Sequence, residues 1–228
     1  DEAQLISPFE KSCLLAPLLY QACYISNTSG VFTAFHKGWG GKTGTALTRI
    51  LSTLQLHPVI FYDNRRANHV YQQDALLLAK ELAEVKTRVD IAYLDPPYNQ
   101  HSYGSNYHVL NSLTLWDKPL VTEKIQGRNK GAIRRDWRTE RRSAYNYRGE
   151  AEQAFVSLLT HLDAHYILAS YSTEGLISIE QMVAMCLHRG HTEVLCYAHK
   201  RYRVSAQRVS KKPLTVEFVL IVNTPKTH

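Results

Sequence analysis

The chain of 228 residues has little cysteine and no long apolar run. Its four cysteines show neither the paired spacing of a zinc site nor the density of a disulfide-rich secreted domain. No apolar stretch approaches the roughly 20 residues of a membrane-spanning helix, and the acidic N-terminus lacks the apolar core of a signal peptide. We therefore expect a reduced, cytoplasmic protein with no membrane anchor.

Composition excludes several further classes of protein. Hydrophobic residues make up 44% and charged residues 21% of the chain, which is typical of a globular domain rather than of a disordered or low-complexity one. The 11 histidines are scattered along the chain, so no metal site is expected.

The net charge of +7 is concentrated in two segments. Residues 124–148 carry +7 and residues 199–212 carry +6, whereas the rest of the chain carries −6. Aromatic side chains interleave this charge, and a basic, aromatic segment favours nucleic acid, because cations meet phosphates while flat rings stack on bases. The alternative interpretation is a pair of solvated loops. The basic residues predicted to bind nucleic acid are Lys130, Arg134, Arg135, Arg138, Arg141, Arg142, Lys200, Arg201 and Arg203.

From about residue 69 onward, strand-like and helix-like segments alternate, which predicts an α/β domain with a mostly parallel sheet. Residues 1–68 form a helical and Gly-rich aromatic part, and residues 69–228 form the core with a basic insertion at about 124–148. Helices are predicted over 8–25, 45–56, 75–86, 106–116, 149–163 and 178–189. Strands are predicted over 57–62, 69–72, 89–94, 166–170, 193–198 and 216–222, the last two as an antiparallel pair.

The sharpest motif is Asp95-Pro96-Pro97-Tyr98, directly after the predicted strand VDIAYL. Ligands of an open α/β sheet bind outside the carboxyl ends of its strands. Two prolines fix a rigid turn and leave nearby carbonyls free to accept hydrogen bonds. Together with the Asp95 carboxylate and the flat face of Tyr98, they suit an exocyclic amino group on a planar ring. The alternative is a strand-ending turn with an incidental tyrosine.

The stretch DIAYLDPPYNQHSYGSNYHVLNSL, residues 90–113, resembles the prokaryotic adenine-specific (N6) DNA methyltransferases that carry D-P-P-Y-N-Q. TSGVFTAFHKGWGG (28–41) and ILASYSTEGLIS (167–178) are similar to further segments of that group. The resemblance implies methylation of adenine N6 in double-stranded DNA with S-adenosylmethionine, after base flipping, in a restriction–modification system. It also implies a Rossmann-like methyltransferase sheet of parallel strands with a C-terminal antiparallel hairpin.

Roles carried over by this resemblance begin with Asp95, Pro96, Pro97 and Tyr98, which would bind and orient the adenine. Asp74 would be the acidic residue near the substrate, although a helix N-cap is an equally good interpretation. The residues expected to line the base pocket or order its loop are Asn99, Gln100, Tyr103 and Asn106. His36, Lys37 and Trp39 are expected to touch DNA or close the site.

The chain departs from the family in its cofactor loop. The family binds S-adenosylmethionine through F-x-G-x-G after its first strand, and GWGGKTG (38–44) neither has this pattern nor follows a predicted strand. We therefore expect the N-terminal cofactor-loop strands to be lacking, with a second polypeptide as a candidate source of that half. The alternatives are a non-catalytic DNA-binding subunit, a fragment of a split enzyme, or an amino-methyltransferase acting on cytosine N4 or RNA.

Overall fold

A computed structural model describes residues 5–28, 30–40, 44–120, 133–200 and 214–225. The chain divides into two compact units, and each is described by itself. Unit 1 comprises Asp1–Asn68 and His101–Arg142, and unit 2 comprises His69–Gln100 and Ser143–His228.

Helices and strands are numbered in chain order. The α-helices of the described residues are α1 (Pro8–Tyr24), α2 (Thr45–Ile50), α3 (Ala75–Glu84), α4 (Tyr103–Asn106), α5 (His108–Leu115), α6 (Ala151–His161) and α7 (Ile179–Leu187). Short 3-10 helices occur at Lys37–Trp39, Asp136–Arg138 and Ala144–Asn146. The strands are β1 (Val89–Leu94), β2 (Ala164–Ser172), β3 (His191–Lys200) and β4 (Leu214–Asn223).

Unit 2 is an α/β unit built on one mixed sheet with the strand order β1-β2-β4-β3. β1 and β2 are parallel, with Val89 opposite Ala164 and Leu94 opposite Ala169. β4 lies between β2 and β3 and runs antiparallel to both. The antiparallel pair predicted near the C-terminus is confirmed. The expectation of a mostly parallel sheet is wrong for the described strands, because β4 opposes both of its neighbours.

Local sequence signals explain where the principal helices begin. Ser7 and Glu10 form a reciprocal capping box at the start of α1, and Ser178 and Gln181 do the same for α7. The side chain of Asp74 accepts hydrogen bonds from the first backbone N–H groups of α3. These caps satisfy N–H groups that have no partner within the helix.

The core of unit 2 lies between one face of the sheet and helices α6 and α7. Its fully buried members include Phe155 and Leu159 of α6, Met182 of α7, and Ile167 and Phe218 of the sheet. The core covers one face of the sheet, so the carboxyl end of β1 belongs to a sheet that is held rigid by this packing.

The other face of this sheet exposes large apolar side chains. Ile91 and Tyr93 of β1, Tyr166 of β2, and Leu195 and Tyr197 of β3 are all exposed. We call these five residues the open face. Within the described residues β1 pairs with β2 alone, so its other edge carries no strand.

Two predicted strands are absent from the structure. Residues 57–62 and 69–72 adopt no regular secondary structure, and the side chains of Ile60 and Val70 are 96% and 97% exposed. The strand prediction is wrong here because a strand needs a neighbouring strand for its backbone groups, and no described strand lies beside these segments.

Two helix predictions also differ from the structure. The helix predicted over 45–56 ends at Ile50, and the one predicted over 106–116 divides at Tyr107 into α4 and α5. Pro17 lies inside α1. In the described part of the chain, no helix is both long enough and apolar enough to cross a bilayer.

Candidate active site

The turn Asp95–Tyr98 leaves the sheet at the carboxyl end of β1. Pro96 is buried and anchors the turn, while the Asp95 carboxylate and the Tyr98 ring are exposed, the ring by 37%. A fixed backbone thus presents a hydrogen-bond acceptor and a flat aromatic face to solvent. This combination can hold a planar ring that carries an amino group.

Tyr171, at the end of β2, supports the Tyr98 ring. The two ring centroids lie 6.2 Å apart at an interplanar angle of 79°, an edge-to-face contact. Tyr171 makes a second such contact with Phe218 of β4, at 6.1 Å. Burial raises the pKa of Tyr171, so its hydroxyl is neutral. The Tyr98 ring is therefore connected to the core through one aromatic neighbour.

A glycine turn after β2 supports the backbone of Tyr98. The N–H of Leu176 donates a hydrogen bond of 2.9 Å to the Tyr98 carbonyl. A Cβ atom at Gly175 would lie 2.1 Å from a ring carbon of Tyr171, so only glycine fits beneath that ring. Tyr171 and Gly175 belong to the Ser-Tyr-x-x-Glu-Gly segment, which the resemblance identified without assigning them this supporting role.

Asn146 supports the next residue of the turn. Its side-chain amide donates a hydrogen bond of 2.7 Å to the Asn99 carbonyl, and its side chain is buried. Gln100 follows and is exposed. Sequence reasoning missed Asn146, because nothing in the sequence distinguishes it from the polar residues around it.

Besides capping α3, Asp74 interacts electrostatically with Tyr145. Burial is the largest cause that raises the pKa of Tyr145 to about 12, and the charge of Asp74 contributes to the same rise. Tyr145 packs against the core, and Tyr171 contributes to the same shift. Asp74 thus lies in the aromatic surroundings of the turn, while its observed hydrogen bonds are those of an N-cap.

Tyr103 and Asn106 belong to unit 1, where they lie on α4. The Asn106 carbonyl accepts a hydrogen bond of 2.7 Å from the N–H of Phe32, and the Tyr103 ring makes an edge contact with Tyr107. Their proposed place in a base pocket stays a prediction.

Arg134 occupies the centre of a buried ion cluster in unit 1. Its guanidinium lies 2.6 Å from Asp117 Oδ2 and 2.7 Å from both carboxylate oxygens of Asp136, and it is 4% exposed. A hydrogen bond from Arg134 lowers the pKa of Asp136. Arg134 was predicted to bind DNA, but a guanidinium held in this way reaches a phosphate only by breaking both ion pairs.

The neighbouring arginines differ from Arg134. Arg135, Arg138 and Arg142 are exposed, and the Arg138 guanidinium lies over the Trp137 ring at 5.3 Å. Arg141 is half-buried, 3.7 Å from Asp136. These exposed arginines follow the buried Arg134 in the chain and form a basic surface on which phosphates can bind.

The other residues predicted to contact DNA fall into two groups. Lys37 and Trp39 are exposed on a 3-10 helix of unit 1, and His36 beside them is half-buried. Lys130, Arg201 and Arg203 lie outside the described residues, as does the side chain of Lys200.

Gly40, in the Gly-rich segment, leaves no space for a ligand. Gly40 has φ 119°, and a Cβ atom there would lie 2.5 Å from the backbone nitrogen of Ala46. The space that glycine leaves open is therefore filled by the start of α2 rather than available to a ligand. Within the residues that the structure describes, no cluster of three or more histidine, cysteine or acidic side chains is arranged for a metal ion.

An α/β unit with an Asp-Pro-Pro-Tyr turn at the carboxyl end of a strand is the arrangement of an amino-methyltransferase. The family model of the D12 class N6 adenine-specific DNA methyltransferases matches residues 2–185. The chain belongs to this family.

Several curated proteins are similar to the chain. It is 32% identical to the type II methyltransferase M.NlaIII of Neisseria lactamica, over 92% of the chain and 57% of that protein. It is 33% identical to the type II methyltransferase M.FokI of Planomicrobium okeanokoites, over 87% of the chain and 28% of that protein. The type II methyltransferase M.CviAII of Paramecium bursaria Chlorella virus 1 is 30% identical over 90% of the chain and 55% of that protein.

The chain thus spans between about a quarter and just over half of these relatives' length. No solved structure gives a significant match.

Proposed function

We propose that the Asp95–Tyr98 turn binds an adenine flipped out of double-stranded DNA and directs methylation of its N6 amino group. The observation that carries this proposal is the exposure of a carboxylate and an aromatic face on one rigid turn at the end of β1. The family and the restriction–modification relatives support adenine as the substrate. Such an enzyme acts where the DNA of a prokaryote lies, in the cytoplasm.

Hydrogen bonding at the turn activates the amino nitrogen. In a free adenine the N6 lone pair is delocalised into the ring, which makes the nitrogen a poor nucleophile. Asp95 accepts one N–H bond and the Pro96 carbonyl accepts the other, which favours a more tetrahedral nitrogen with its lone pair directed out of the ring plane. These acceptors stabilise the transition state more than the ground state, because positive charge develops on the nitrogen as it reacts.

Tyr98 stacks on the flipped base. The amino group of a base stacked and paired inside a duplex cannot reach Asp95, so the base must leave the stack, and an aromatic face replaces part of the stacking energy. Tyr171 holds the Tyr98 ring through its edge, and Leu176 and Asn146 hold the backbone on either side of the ring. A platform fixed in advance loses little conformational entropy when the base arrives.

Exposed arginines of unit 1 supply the DNA-binding charge in this proposal. Arg135, Arg138 and Arg142 meet phosphates, whereas Arg134 fixes the segment through Asp117 and Asp136. Phosphate contacts orient the protein on the duplex without reading its sequence.

The methyl donor is bound mainly outside the described residues. Methyltransferases of this family use S-adenosylmethionine in general, but the space beside Gly40 is filled by the start of α2. The free edge of β1 and the open face are, in our proposal, where a cofactor-binding portion adds strands and helices to complete a Rossmann-like sheet. Parallel strands are normally covered on both faces, and the relatives extend well beyond the matched region. That portion is either a second polypeptide or further sequence of the same protein.

Substitutions in the turn test the proposed function. Asp95→Ala and Tyr98→Ala should abolish methylation while most of the DNA affinity remains, because phosphate contacts lie elsewhere. DNA affinity is measured by fluorescence anisotropy and methylation by mass spectrometry of digested DNA. N4-methylcytosine as the product would point to the cytosine alternative, and methylated RNA to the RNA alternative.

Calorimetry with S-adenosylmethionine tests how the cofactor is bound. We expect weak binding to the chain alone and tight binding once a co-purifying polypeptide or the missing portion is present. Tight binding to the chain alone would contradict this part of the proposal. The absence of cofactor binding in both cases would favour a non-catalytic DNA-binding subunit.

A further inference from the structure

The turn Trp116-Asp117-Lys118 follows α5 in an unusual backbone conformation. Trp116 has φ 54° and Lys118 has φ 46°, both in the left-handed region that non-glycine residues rarely adopt. The Trp116 N–H nevertheless closes the helix with a hydrogen bond of 2.8 Å to the Ser112 carbonyl. Two such residues so close together are retained only where the surroundings hold the turn in place.

The buried Arg134 provides that restraint. Asp117, between the two strained residues, receives hydrogen bonds of 2.6 and 3.3 Å from the Arg134 guanidinium. The same guanidinium donates to the Ser112 hydroxyl of α5 at 3.3 Å and is held from its other side by Asp136. The turn is thereby fixed to α5, and its flanking residues Trp116 and Lys118 are exposed.

Trp116 and Lys118 line a groove of about 410 Å³. The groove is lined mainly by apolar side chains of α5 and the turn, with Val109, Leu113 and Pro119 beside the indole. The Trp116 side chain is 69% exposed. An indole left open to water at a restrained position is a surface for a flat or apolar ligand.

We propose that this groove is a nucleobase-stacking site, in which Trp116 stacks on an unpaired base and Lys118 neutralises the adjoining phosphate. The ligand is a single strand of nucleic acid. Its flat bases suit the Trp116 indole, and its phosphates suit the Lys118 ammonium. The exposed cations Arg135 and Arg142 belong to the same unit. The inference rests on the proposed function, because base flipping in DNA is what would supply an unpaired base.

Trp116 fluorescence in the full chain tests stacking directly. Trp39→Phe and Trp137→Phe leave Trp116 as the single tryptophan. Oligothymidylate should quench its emission, because a stacked base quenches an indole. Inorganic polyphosphate should bind without quenching it, because it carries the charge but no ring.

Affinity measurements separate stacking from apolar contact. Trp116→Ala and Trp116→Leu should each weaken oligothymidylate binding about tenfold, while Trp116→Phe should bind within about threefold of the parent. Leu115→Ala is the matched control, since Leu115 is an exposed apolar residue of the same helix and should have no effect. Lys118→Gln should reduce the slope of log affinity against log salt by about 0.7, one phosphate of a single strand.

Several results would overturn the inference. Oligothymidylate that binds without quenching Trp116, or that does not bind at all, would exclude the stacking site. A Trp116→Leu variant with parental affinity for oligothymidylate would show apolar contact rather than stacking and would overturn the inference. Thermal unfolding of the Trp116→Ala and Trp116→Leu variants verifies that their loss of affinity does not come from unfolding. The effect of Asp95→Ala on methylation is independent of each of these results, so the proposed function is tested separately from the stacking site.

Discussion

Unit 2 buries a continuous apolar cluster that includes Phe155, Met182 and Phe218, whereas Ala46 is the buried apolar residue in the described part of unit 1. The groups that unit 1 buries are mostly polar. The His108 ring donates a hydrogen bond of 3.0 Å from Nε2 to the Phe32 carbonyl, and Arg134 is enclosed by two carboxylates.

This difference implies different physical sensitivities. Apolar burial depends little on pH or salt near neutrality, whereas hydrogen bonds and ion pairs depend on the charge of their members. In the proposed function, the two units have different tasks. The apolar unit would hold the amino-binding turn rigid, and the polar unit would present cations and exposed aromatic rings to DNA.

The largest effect is expected in the core of unit 2. Phe155→Ala should lower the free energy of unfolding by about 4 kcal/mol, because it removes a fully buried ring and leaves a cavity. Leu187→Ala, at an exposed position of α7, should change it by less than about 0.5 kcal/mol. Urea denaturation followed by circular dichroism measures both, and equal losses would contradict the assignment of the core.

The corresponding substitution in unit 1 is Arg134→Met. It should cost about 3 kcal/mol, because Asp117 and Asp136 then lose the buried guanidinium that both of them contact. Hydrogen exchange of the α5 amides reports the loss locally. Arg135→Met is the matched control, since its exposed side chain should leave exchange unchanged and weaken DNA binding instead. The reverse pattern would make Arg134 the DNA contact.

A smaller effect is expected at the turn beneath Tyr171. Gly175→Ala should cost about 2 kcal/mol, because the new Cβ would overlap the Tyr171 ring. It should also reduce methylation more than DNA affinity, since Tyr98 loses its support. Gly149→Ala has open space around the new Cβ and serves as the neutral control. Unchanged thermal unfolding of Gly175→Ala would show that the ring contact is dispensable.

The smallest effect concerns the pH dependence of unit 1. Burial, with a contribution from Arg134, lowers the pKa of His108 below its ordinary value of 6.5. The folded state thus binds this proton less readily than the unfolded chain, so the stabilisation is present above about pH 6.5 and declines as the pH falls below it. His108→Gln should flatten this part of the pH profile, because the variant has no imidazole to protonate. Hydrogen exchange of α5 at several pH values measures it, and identical profiles for parent and variant would exclude His108 as the cause.

The sequence predicted the elements whose signals are local. The strand over 89–94 and its Asp-Pro-Pro-Tyr turn lie where the pattern placed them, and the N-cap interpretation of Asp74 is observed. The antiparallel C-terminal pair was also predicted, and it is observed. A cap, a turn and a strand's own pattern depend on neighbours within a few residues.

What the sequence did not predict depends on distant partners. Arg134 looks like its neighbours in a basic run, and only the fold brings Asp117 and Asp136 to opposite sides of its guanidinium. Residues 57–62 have a strand composition but no neighbouring strand among the described residues. Asn146 acquires its role from a carbonyl 47 positions earlier in the chain.

The central claim is that Asp95 and Tyr98 hold the amino group that is methylated. The chain is expressed together with its cofactor-binding portion in a bacterial host lacking adenine methylation, and the host DNA is sequenced by a method that detects modified bases. We predict N6-methyladenine within one short recognition sequence for the parent and none for Asp95→Ala or Tyr98→Ala. Adenine methylation that persists in Asp95→Ala, or modification of cytosine N4 instead, would contradict this account.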